Sequence, residues 1–115
     1  MLSADYRLRK KTDIDRVWKK GRSFATPLFS LKIAKNDLPV SRFAVVIGTK
    51  VDKRAVIRNL AKRRLREAIR LLSPQLVGGQ DVIVMGRGKI STSDYAEIER
   101  TIRFAFEKSG LLKRV

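Results

Sequence analysis

Cysteine and histidine are both absent from this 115-residue chain. Without cysteine there can be no disulfide, no thiolate zinc ligand and no thiol nucleophile, a composition compatible with a reducing compartment. Without histidine the chain lacks the commonest general base and the commonest metal ligand. Acidic residues are scarce as well, 11 against 27 Lys+Arg. Asp5, Asp13, Asp15, Asp37, Asp52, Asp81 and Asp94 show no motif spacing that would converge on a metal, which argues against a protein-only nuclease. No apolar run approaches the ~20 residues needed to cross a bilayer. Charged residues rather than an apolar stretch follow Met1 to Tyr6, so no signal peptide is expected. At 43% hydrophobic residues, the chain has too much apolar content for a basic disordered tail. The length fits one domain, since two cores would each be too small to stand alone. These absences leave a small, soluble, cytoplasmic protein whose single domain spans residues 1 to 115, with residues 1 to 8 expected to form a loose arm.

What is present is positive charge, and it is concentrated. The formal net charge is +16. Arg7 to Arg22 holds eight basic and two acidic residues, and Lys50 to Arg70 holds nine and two. A surface shaped only for solubility would mix the signs more evenly. A polyanionic partner is the first expectation.

Hydrophobic periodicity gives the order αββαβα. Thr12 or Asp13 can cap a short helix carrying Ile14, Val17 and Trp18, which Gly21 stops in the manner of a C′ glycine. Phe24 to Pro27 reads as extended. Leu28 to Ala34 alternates, with Phe29, Leu31 and Ile33 on one face and Ser30 and Lys32 on the other. After a turn at Asn36 to Pro39, a strand from Arg42 to Gly48 sets Phe43, Val45 and Ile47 against the smaller Ala44 and Val46. A helix is expected from about Ala55 to Leu72, ended by Ser73-Pro74. Asp81 to Met85 is apolar on both faces, as a central strand would be. Arg87 to Lys89 reads as a loop. Ser91 to Ser93 supplies a cap for a last helix whose stripe is Tyr95, Ile98, Ile102 and Phe106, stopped at Gly110. Two helices can then cover one face of a small sheet, leaving the first helix to lie elsewhere.

The helix from Ala55 to Leu72 carries the functional signal. At about 100° per residue, Ile57, Ala61, Leu65, Ala68 and Leu72 fall in one arc, with Leu60 and Leu71 at its edge. Arg58, Lys62, Arg66 and Arg70 repeat along the opposite side, with Asn59 and Arg63 beside them. Like charges four residues apart repel. Three successive repulsive pairs, with only Glu67 to compensate, favour a phosphate-binding surface over a merely solvated face. Arginine dominates the stripe, and a guanidinium can fork onto phosphate oxygens. The stripe alone does not separate DNA from RNA.

The segment Lys50-Val51-Asp52-Lys53-Arg54-Ala55-Val56-Ile57-Arg58-Asn59-Leu60-Ala61-Lys62-Arg63-Arg64-Leu65-Arg66-Glu67 resembles the Arg-Asn-Arg signature of the bacterial ribonuclease P protein component. The Arg7-Leu8-Arg9-Lys10 start, the first helix, the strand pair, the Asp81 to Met85 strand followed by Arg87, and the last helix match in order and spacing, so the resemblance covers essentially the whole chain.

That resemblance implies a two-layer α/β (α+β) sandwich of the ribosomal protein S5 domain 2-like type, with a left-handed βαβ crossover against the usual hand. It implies a subunit of the tRNA 5′-maturation endoribonuclease, partnered one-to-one with ribonuclease P RNA and acting on precursor tRNA, with no membrane role. The RNA would cleave the 5′ leader using Mg2+, and the protein would bind no cofactor of its own and supply no catalytic side chain. Carried over by position, Arg58, Asn59, Lys62, Arg63 and Arg66 match the RNA-facing positions, with Lys50, Lys53 and Arg54 before them and Arg70 continuing the stripe. The leader cleft, between the first helix and the exposed sheet face, would fall on Ile14, Trp18, Ser30 and Lys32. Leu60 stands where a second arginine is usual, and Arg64, one turn on, is expected to reach the same RNA groove instead. Thr49 replaces a common lysine. Ile14 and Lys32 replace usual aromatics, leaving stacking to Trp18. The rival reading is an RNA-binding protein with no processing role, such as a ribosomal protein or RNA chaperone; a core role is the rival for Trp18.

Overall fold

Alternation in the strands sorts side chains onto two faces of one sheet, and each face meets different helices. The computed structural model describes residues 6–113. Its elements are α1 (Lys11–Lys20), β1 (Arg22–Ala25), β2 (Phe29–Lys35), β3 (Arg42–Val46), α2 (Ala55–Leu71), β4 (Gln80–Gly86) and α3 (Tyr95–Lys108). The four strands lie in the order β1-β2-β4-β3. β2 is antiparallel to β1 and β4, and β3 runs parallel to β4, to which α2 connects it. The expected mixed α+β architecture is present. As expected, β4 is central, with Val82, Ile83 and Val84 all fully buried.

The face carrying Phe29, Leu31, Ile33, Phe43, Val82 and Val84 packs against α2 and α3 to make the main core. Phe43 and Phe106 stack with centroids 5.7 Å apart. Each fully buried Leu, Ile or Phe here contributes about 1.5–3 kcal/mol of transfer free energy. The opposite face takes α1, through a smaller cluster of Leu8, Val17, Ala34 and Ile83.

Several expectations are corrected. Phe24 to Pro27 is more than extended chain: Arg22–Ala25 pairs with β2 as a fourth, edge strand, too short and too polar to show a period of its own. The loose arm is ordered from Tyr6 onward, the first five residues lying outside the described ones. Leu8 is only 4% exposed and its N–H donates to the Phe43 carbonyl, so an apolar side chain amid arginines anchors the arm on β3. The buried arc of α2 is rotated towards Ile69, which is fully buried, while Leu71 is 49% exposed. Neither Thr12 nor Asp13 caps α1, whose N-cap is Lys10 without a side-chain bond. Gly21 has an ordinary φ of −73°; a β-carbon there would come within 2.4 Å of the Val17 carbonyl oxygen, so glycine is needed for space rather than for handedness. Asp94, not Ser91 to Ser93, caps α3, accepting from the Glu97 N–H, because Gly88–Thr92 forms a 3-10 turn. Gly110 does stop α3 with a φ of +80°. Its N–H and that of Leu111 donate to the Glu107 and Phe106 carbonyls.

Candidate nucleic-acid interface

The basic helix is organised from its N-terminus by one carboxylate. Asp52, in the crossover before α2, accepts from the Arg54 backbone N–H at 2.9 Å and from its guanidinium at 3.0 and 2.9 Å. Those hydrogen bonds hold the Asp52 carboxyl at about 2, well below the usual carboxylate range. Arg58 folds back on the same turn, its Nη1 donating to the carbonyls of Asp52 and Lys53 at 3.0 and 2.8 Å. The first arginine of the stripe thus shapes the loop that presents Lys50 and Lys53, both of which are exposed.

Further along α2 the cations divide. Arg64, expected to reach the RNA groove in place of Leu60, leans towards the start of α3, its Nη1 donating to the Ser93 carbonyl at 3.0 Å. Arg70 pairs with Glu67 at 2.5 Å and holds that carboxyl at about 2. Among the described residues, Lys62, Arg63 and Arg66 make no hydrogen bond or ion pair with the protein. With Asn59 and Glu67 they line one open groove of about 410 Å3. Three cations lining one groove, none of them ion-paired among the described residues while Glu67 is taken up by Arg70, are suited to bind phosphates.

A second groove, of about 320 Å3, was missed in the sequence. Arg7, Arg9 and Arg66 surround it, with Phe43, Ala44 and Val45 as its floor along the edge of β3. The pattern Arg7-Leu8-Arg9 was its only sequence signal: an apolar anchor between two cations.

The α1 side of the sheet holds the other predicted residues. Cross-strand pairing arranges this face in three rows: Ala34, Asp81 and Arg42; then Lys32, Ile83 and Ala44; then Ser30, Met85 and Val46. α1 packs over the first two rows through Val17 and half-buried Ile14. The last row is the least covered: Val46 is 46% exposed, while Ser30 and Met85 are half-buried, Met85 against the α1-side cluster. Trp18 is 43% exposed, which removes the core role considered for it. Ser30 and Lys32 are half-buried on this face, as their alternation required.

At the covered end sits an unexpected charge. Asp81 is fully buried, yet its carboxylate accepts from Arg42 Nε and Nη2 at 2.9 and 2.7 Å, from Asn36 Nδ2 at 2.7 Å, and from Arg16 Nη2. Desolvation pushes this carboxyl up, but the Arg42 and Asn36 hydrogen bonds and the charges of Arg42 and Arg16 outweigh it, leaving it below its ordinary value. An aspartate opening a strand gives no sequence sign of such a hub.

Among the described residues no group of three or more His, Cys, Asp or Glu could hold a metal ion, and no helix is long and apolar enough to cross a membrane.

Comparison with known proteins joins these features. The family model described as Ribonuclease P matches residues 2–110. The ribonuclease P protein component of Symbiobacterium thermophilum is 36% identical over 110 residues, covering 95% of each chain. That of Clostridium acetobutylicum is 34% identical over 108 residues, covering 92% of this chain and 90% of the relative. In structure, the Staphylococcus aureus RNase P protein superposes with a TM-score of 0.86 at 25% identity, over 94% of this chain and 98% of that one. The Thermotoga maritima RNase P protein does so with 0.74 at 30% identity, over 95% and 96%. A basic helix beside an α1-crossed sheet, matched over nearly its whole length in sequence and in fold, places this chain in the ribonuclease P protein component family.

Proposed function

We propose that this protein uses its two sides for two RNAs. As a ribonuclease P protein component it partners the ribonuclease P RNA, and Lys62, Arg63 and Arg66, with Asn59, Lys50, Lys53 and Arg54, bind that RNA's phosphates. The α1 side of the sheet, with Trp18, Lys32 and the Ser30–Met85–Val46 row, takes the single-stranded 5′ leader of precursor tRNA. An unpaired base can stack on the exposed indole, a contact worth about 1–3 kcal/mol, while Lys32 meets a phosphate. Cleavage belongs to the RNA with its Mg2+, in a cytoplasmic one-to-one complex. This chain's part is to neutralise charge and hold the leader. The observation that carries the reading is the exposure of Trp18, 43%, on the helix that crosses the thinly covered face of a sheet whose other face makes the main core.

The test uses Trp18, the only tryptophan, as its own reporter. Assembled with the RNA at low Mg2+, the protein should raise leader cleavage. Trp18 emission should shift or quench with precursor tRNA bearing a leader of several nucleotides, and change little with mature tRNA. Equal responses to the two would remove Trp18 from the leader site. RNA binding without stimulated cleavage would favour an RNA chaperone.

A further inference from the structure

Asp81 lies beneath α1, away from solvent and from the basic stripe, and two arginines from different elements converge on it. Arg16 reaches it from α1 and also donates to the Lys35 carbonyl at the end of β2. Arg42, on β3, chelates it and extends to Asp13, also on α1, at 3.4 Å. α1 is therefore tied to the sheet twice, once through each arginine, at points three residues apart.

Such a cluster is a poor device for stability alone. Desolvating these charges costs about what their attraction returns, and apolar replacements of buried ion pairs are often neutral or better. What ion pairs supply, and an apolar patch does not, is a single register. Val17 could slide or roll over Ile83 at little cost; Arg16 and Asp13 cannot leave Asp81 and Arg42 without giving up two charged contacts, one of them to a buried carboxylate that Arg42 and Asn36 alone would then hold.

The register matters because of what stands on the other flank. At about 100° per residue, Arg16 and Trp18 project to opposite sides of Val17, the residue that points into the sheet. Pinning Arg16 at the Ala34–Asp81–Arg42 row sets the rotation of α1, and with it the direction in which Trp18 projects on the opposite flank. With side chains about 5 Å from the helix axis, a roll of about 20° would carry the indole roughly 2 Å. Ring stacking does not survive such a shift.

We propose that Asp81 is a positioning residue for leader binding: by holding α1 at one rotation on the sheet, it fixes the direction in which the exposed Trp18 indole is presented. The proposal rests on the leader reading of that face, and its test separates the two. Asp81→Asn keeps the shape and removes the charge. In the assembled enzyme it should weaken binding of a long-leader precursor about five- to tenfold, the lower range of one lost stack. A precursor with a one-nucleotide leader and the catalytic RNA should bind as before. Combined with Trp18→Ala it should cost no more than Trp18→Ala alone. In the free protein, acrylamide quenching of Trp18 should change. Arg16→Gln, which leaves Asp81 paired with Arg42, should show a weaker form of the same pattern and serves if Asp81→Asn does not fold. Leader-independent loss, additivity with Trp18→Ala, or unchanged Trp18 quenching in the folded variants would overturn the proposal. Trp18→Ala with no leader-dependent effect would instead overturn the leader reading, and with it the purpose of the positioning.

Discussion

The two faces of the sheet are built on opposite principles. Against α2 and α3 the sheet is dry and apolar, with Leu65, Ile69, Ile98, Ile102 and Phe106 fully buried over Phe29, Leu31, Val82 and Val84. Against α1 the apolar contact is small, a buried ion cluster carries part of the attachment, and the last row of the sheet is open at Val46. The difference teaches where stability and access are placed in a domain of this size. One face gathers enough burial to hold the fold, which frees the other to stay open to a ligand and to be held by directional bonds. Regions that bind and release are commonly drawn from the less buried part of a structure.

The comparison can be broken most directly by emptying each face. Leu65→Ala, on the dry face, should cost about 2–5 kcal/mol in denaturant unfolding. Val46→Ser, on the open row, should stay within about 0.5 kcal/mol. Similar losses at both sites would mean that the α1 side also carries the fold.

A second measurement sharpens the functional half. Lys62, Arg63 and Arg66 replaced together by Ala should leave the thermal midpoint nearly unchanged, since none of the three makes a hydrogen bond or ion pair with the protein among the described residues. The log–log salt dependence of binding to the catalytic RNA should flatten by about two to three units. An unchanged slope would mean that this groove is only solvated. Arg58 is left out of this set because its removal would also release the Asp52–Lys53 turn.

The smallest expected effect is acid sensitivity confined to the α1 side. The folded Asp81 carboxyl titrates below its ordinary value. Its contribution is therefore complete above the unfolded value of about 3.9 and is lost as pH falls through the folded value. Amide exchange in α1 should rise there before exchange in α3 does. Asp81→Asn should abolish that difference in onset. Simultaneous opening of both helices would show that Asp81 does not hold α1 separately.

Much of this was legible in the chain. Alternation in Phe29 to Ala34 and Phe43 to Ile47 identified the core face, and it placed Ser30, Lys32 and Ala44 on the other. The double-sided apolar run at Val82 to Val84 marked a central strand. The α2 stripe stood out through like charges at four-residue spacing. Where the reading failed, the determinant was distant in sequence. β1 exists because β2 offers it an edge, Leu8 is buried because β3 receives it, and Arg64 turns to Ser93 because α3 begins there.

Periodicity and charge are local properties, so the sequence by itself determined every long element, the core face, the basic helix and, through the resemblance, the family, but not the edge strand β1. Only the tertiary structure decided which cations stand open and which are bound by their own protein, because that depends on carbonyls and carboxylates brought near by folding. It also decided that Asp81 joins Arg16 and Arg42 across 65 and 39 residues of chain. A buried charge is tolerated only where partners converge on it, and convergence of separate strands and helices is not a property of any one segment.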